Sequence, residues 1–78
     1  MIKVKLAVLL AQKEMKLKDL EEKTGIALNN LSVLKTGKAK AIRFSTLEEI
    51  CRALDCQPGD LLEYVPGATP DDDDETED

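Results

Sequence analysis

Four cations, Lys35, Lys38, Lys40 and Arg43, fall in a stretch between Lys23 and Leu47 that contains no acidic residue. Just ahead of them, Asn29, Asn30 and Ser32 carry amides and a hydroxyl, which donate and accept hydrogen bonds without titrating. Cations placed together with no acid among them are suited to meeting a polyanion such as a phosphate backbone. Nothing comparable supports catalysis. The chain has no histidine, no glycine-rich phosphate loop and no nucleophile paired with a base. Its two cysteines, Cys51 and Cys56, form neither a CxxC pair nor part of a metal-ligand set, and Cys51 reads as a small core hydrophobe. No enzyme activity, cofactor, metal or small-molecule ligand is expected.

These side chains need a scaffold, and the hydrophobic spacing supplies one. Leu6, Leu9 and Leu10 predict a first helix from about Lys5 to Glu14, and Leu17, Leu20 and Thr24 a second from Leu17 to Thr24. Gly25 supplies the backbone freedom that ends a helix, with Ile26 turned inward at the turn. A third helix, residues 28–36, turns Leu31 and Leu34 inward and stops at Gly37. Ser45 and Glu48 have the spacing of a capping box, which would open a fourth helix carrying Leu47, Ile50, Cys51 and Leu54 on one face. Pro58 suits a first helical position, so a short fifth helix is expected from Pro58 to about Glu63. Ile2 and Val4 alternate with lysines, and Tyr64 and Val65 look extended, so the two segments could pair within a chain or between chains.

Size and charge set the frame. The chain has 78 residues and a formal net charge of −5. That acidity belongs to one end: residues 67–78 hold seven acids and no base, whereas residues 1–66 hold eleven Lys/Arg against nine Asp/Glu. One mildly basic domain over 1–66 is therefore expected, followed by a disordered acidic tail over 67–78 whose composition cannot support packing. The tail's charge is opposite to that of Lys35 to Arg43, so it could fold back and compete with phosphate there. A domain this small often gains stability by dimerising. Leu61, Leu62, Tyr64 and Val65 are the expected homodimer surface. The longest apolar run, Leu6 to Ala11, is far too short to span a membrane, and a reducing cytoplasmic setting is expected.

At the level of motif, the chain resembles the Xre family of small helix-turn-helix regulators, to which phage Cro and repressor domains belong. The residues that carry the resemblance are Leu20, Gly25, Leu31 and Leu34, then Lys35-Thr36-Gly37-Lys38, Arg43-Phe44 and Thr46-Leu47. The stretch Gly59 to Pro66 reads GDLLEYVP, as in short bacterial members. The resemblance implies an all-α, five-helix repressor-like domain that regulates transcription on duplex DNA, usually as a dimer on short inverted repeats. It implies base-edge contacts from Leu28, Asn29 and Val33, with Asn30 and Ser32 nearby. Asn29 could pair bidentately with adenine, and Leu28 and Val33 could touch thymine methyls. Phosphate contacts would fall to Thr36, Lys38, Lys40 and Arg43, helped by backbone N–H groups at the start of the second helix.

The chain also departs from the family pattern. Lys16 and Ala27 stand where Ser or Thr usually caps the second and third helices, and Leu17 stands where a glutamine often contacts phosphate. Glu21 occupies a position where alanine is favoured, at the close approach of those helices, where its stem can carry the carboxylate outward and the crossing could open slightly. The residues leave one alternative open. The same fold could serve as a protein-interaction module, antitoxin-like or a regulatory partner, with Leu28 and Val33 as its apolar face.

Overall fold

The computed structural model describes residues 1–67. Its elements are β1 (Ile2–Val4), α1 (Leu6–Gln12), α2 (Leu17–Thr24), α3 (Leu28–Lys35), α4 (Phe44–Leu54), α5 (Pro58–Leu61) and β2 (Leu62–Tyr64). Five helices surround an aliphatic core, and a two-stranded sheet closes one side. The architecture is that of an all-α repressor-like domain with short extended segments. The acidic tail beyond Gly67 lies outside the described residues.

The core follows the predicted stripes. Leu6, Leu9 and Leu10 enter from α1, Leu20 from α2, Leu31 and Leu34 from α3, and Leu47, Ile50 and Leu54 from α4. No polar or charged residue is buried among the described residues. The interior thus depends on apolar burial and close packing, with no network to satisfy. Leu61, 1 % exposed, completes this core from α5. The expectation that Leu61 belongs to a dimer surface is therefore corrected: its side chain is already used within one chain.

Helix ends show where local chemistry overrides a simple pattern. α2 stops at Gly25, whose φ of 77° is left-handed, and its N–H donates to the Glu21 carbonyl at 2.8 Å. The Thr24 hydroxyl donates to the Leu20 carbonyl and accepts from the Ile26 N–H, pinning the turn from both sides. α3 ends in a Schellman motif: Lys38 N–H donates to the Val33 carbonyl and Gly37 N–H to the Leu34 carbonyl. The first helix is shorter than expected, because Glu14 itself turns left-handed (φ 53°) and lets Met15 N–H return to the Leu10 carbonyl. Asp55 does the same for α4, returning Cys56 N–H to the Cys51 carbonyl at 3.0 Å.

Two further boundaries differ from expectation. The Ser45–Glu48 capping box does not form. α4 opens at Phe44, and the Arg43 carbonyl already accepts from Leu47 N–H at 2.9 Å, so Ser45 lies inside the first turn. The half-buried Ile42 and the buried Leu47 occupy the two positions of a hydrophobic staple, and both join the core, which starts the helix at Phe44. α5 ends at Leu61 because Leu62 is drawn into β2. The strands pair antiparallel within the chain, Ile2 opposite Tyr64 and Val4 opposite Leu62. Reciprocal bonds between Met1 and Val65 extend the ladder by one more pair.

Candidate nucleic-acid interface

α3 has a buried and an open side. Leu31 and Leu34 face the core, while Leu28 (40 % exposed), Asn29, Asn30 and Val33 (39 % exposed) face solvent. Ser32 is half-buried at the edge. The Schellman turn at Gly37 ends the helix and directs the following loop back along the same surface. A groove of about 570 Å³ results, in which Asn30 and Val33 of the helix meet Lys38, Lys40 and Arg43 of the loop. Five of the nine expected contact residues thus line one groove. Leu28, Asn29, Ser32 and Thr36 lie outside it, and the Thr36 hydroxyl donates to its own helix at the Val33 carbonyl. Thr46 also lines the groove, a residue that sequence spacing did not single out for contact.

Among the described residues, the charge of this surface is uncompensated. Salt bridges among the described residues all involve Arg52, which reaches Glu49 at 2.8 Å and Glu48 at 3.8 Å. Lys38, Lys40 and Arg43 are exposed and lack a carboxylate partner there. Cations held beside a groove and left unpaired keep their charge available to an incoming phosphate.

The helix starts solve the missing-cap problem by another route. Ala27 precedes α3 and has no acceptor, but the Glu21 carboxylate (Oε2) accepts from the Leu28 N–H at 3.1 Å. The two departures from the family pattern therefore compensate each other: the glutamate at the crossing of α2 and α3 supplies what the alanine lacks. α2 is treated similarly. Lys16 has no side-chain acceptor, and the Asp19 carboxylate accepts the Lys16 N–H at 3.0 Å. Both carboxylates also sit at the positive ends of helix dipoles, which favours them electrostatically. No spacing rule identifies Glu21 as a cap, because it lies seven residues before the N–H it serves.

Comparison with known proteins agrees with this geometry. The model of the Cro/C1-type HTH DNA-binding domain matches residues 5–67. An uncharacterized HTH-type transcriptional regulator of Bacillus subtilis (strain 168), YozG, is 59 % identical over 61 residues, covering 78 % of this chain and 73 % of that protein. No solved structure matches the chain significantly. The chain belongs to the Xre family of Cro/C1-type helix-turn-helix DNA-binding transcriptional regulators.

Proposed function

We propose that α3 enters the major groove of duplex DNA and reads a specific operator, with Leu28, Asn29, Asn30, Ser32 and Val33 toward base edges. Thr36, Lys38, Lys40 and Arg43 then hold the flanking phosphates. The observation that carries this reading is the continuity between the open face of α3 and the groove lined by Lys38, Lys40 and Arg43. An eight-residue helix spans about 12 Å, comparable to the width of the major groove. The setting is cytoplasmic, and no described helix is long and apolar enough to cross a membrane. Residues 67–78 carry seven acids and no base, a charge opposite in sign to that of Lys38, Lys40 and Arg43.

The regulator acts in this reading as a homodimer, since paired copies match the symmetry of an inverted repeat. With Leu61 buried, the surface shifts to side chains that remain open. Phe44 is 87 % exposed beside a groove lined by Leu47, Cys51, Cys56 and Pro58. It directly follows Arg43, so contact through Phe44 would set two basic loops side by side. Ile2 and Tyr64, opposite one another on the sheet, form a second open apolar pair. Phe44→Glu and Tyr64→Glu, each measured by sedimentation equilibrium, identify which patch joins the copies. A wild-type monomer at the concentrations where DNA binds would refute the dimer.

Gel shifts against genomic fragments, beginning with DNA upstream of the protein's own gene, test the main reading. Competitor-resistant binding that is lost in the Asn29→Ala, Val33→Ala double variant supports it. The exposed Leu28 and Val33 favour a second reading, a protein-interaction module with weak DNA binding. Sequence-blind, weak retardation together with a stoichiometric protein partner held through Leu28 and Val33 would support that one instead.

A further inference from the structure

Glu21 does more than close a helix end. A carboxylate has two oxygens with about four acceptor sites, and the bond to Leu28 N–H uses one of them. Among the described residues no lysine or arginine pairs with it, so the charge is not neutralised by a neighbour. The side chain is half-buried, and the residues at the end it caps, Leu28 and Asn29, are exposed. The carboxylate is thus held by a backbone bond at the N-terminal tip of the open face of α3. Its orientation is set before any ligand arrives, which lowers the ordering cost of a further contact.

We propose that Glu21 is a specificity-determining residue, accepting a hydrogen bond from a base amino group opposite the start of α3. The inference rests on the reading that α3 lies in the major groove. There, cytosine presents its N4 amino group and adenine its N6 amino group, whereas guanine O6 and N7 and thymine O4 are acceptors. A fixed carboxylate attracts the first pair and repels the second. The contact is made directly or through one ordered water, as is common on wet protein–DNA surfaces. It also supplies what α3 itself lacks. The helix has asparagines and a serine on or near its open side but no group that only accepts, so Glu21 adds a discrimination those residues cannot make alone.

The test is selection of bound duplexes from a randomised pool, using the full chain as wild type, Glu21→Gln and Glu21→Ala. Glutamine keeps an acceptor oxygen for Leu28 N–H but adds an amide donor, so this variant separates base reading from capping. The wild-type pool is expected to show cytosine or adenine at one position in each half-site, preferred by about fivefold to 150-fold, the usual cost of one mismatched base pair. Glu21→Gln should admit guanine and thymine at that position and leave the others unchanged. Glu21→Ala should lose preference there altogether. If both variants select the wild-type operator at every position, with affinity lowered uniformly or not at all, Glu21 is a cap alone and the inference fails. A wild-type pool with no enrichment at any position would overturn this inference together with the major-groove reading. An enriched pool indifferent to Glu21 would overturn the inference only.

Discussion

Replacing Lys38, Lys40 and Arg43 together with glutamine tests the phosphate-facing loop quantitatively. All three are exposed, line the same groove and lack a carboxylate partner among the described residues. Each phosphate neutralised on B-DNA contributes about −0.9 to the slope of log K against log salt. Three contacts per protomer therefore account for about 2.7 units of slope, and two protomers on one operator for about twice that. Between about 50 and about 200 mM salt, the wild type should lose roughly 40-fold more affinity per protomer than the variant. Fluorescence anisotropy on one labelled duplex, titrated at four or five salt concentrations, reads both slopes. Circular dichroism confirms that the variant is folded. Arg52→Gln is the internal control, because Arg52 is already paired with Glu48 and Glu49 and should leave the slope unchanged. Parallel salt lines for wild type and triple variant, whatever their vertical offset, would refute the assignment of these residues to phosphates.

Further outcomes can be measured independently. Leu31→Ala should cost about 2–5 kcal/mol of stability, since Leu31 is fully enclosed and holds α3 to the core. Against a total of roughly 3–10 kcal/mol for a domain of this size, the urea midpoint should fall sharply, and a change below about 1 kcal/mol would contradict the packing described. Burial pushes the Cys56 thiol above its ordinary pKa, aided by the adjacent Cys51. The protonated thiol is then favoured in the fold: its stabilisation is present below the ordinary thiol pKa and lost as pH rises through the raised one. Cys56→Ser should flatten the alkaline decline of melting temperature, and an identical decline in both proteins would show that the thiol is not its source. Deleting residues 68–78 should tighten DNA binding most at low salt, where charge is least screened. An unchanged affinity across the salt series would exclude any electrostatic competition from those acids.

How much could be read in advance varied with the range of the interaction. The span of α2 was legible to the residue, because Leu17, Leu20 and Thr24 share a helical face and Gly25 ends it by its own conformational freedom. The short sheet was legible as two extended segments able to pair, with the choice between one chain and two left to the structure. Ser45 misled, because a capping box is a local preference and the core contact of Ile42 and Leu47 starts the helix at Phe44. Leu61 misled for a related reason: an apolar residue near a chain end looks the same in sequence whether it serves an interface or a core.

By itself, the sequence determined the helical stripes, the glycine turn before α3 and the acid-free basic window after it. These depend on neighbours within a few positions, where periodicity and charge are directly visible. Only the tertiary structure decided that Asn30 and Val33 share a groove with Lys38, Lys40 and Arg43, that Leu61 is internal, and that Glu21 reaches Leu28. Those outcomes depend on how α2, α3 and the loop cross in space. A side chain that closes a neighbouring helix, and a carbon hidden by a distant one, leave no period in the chain to be read.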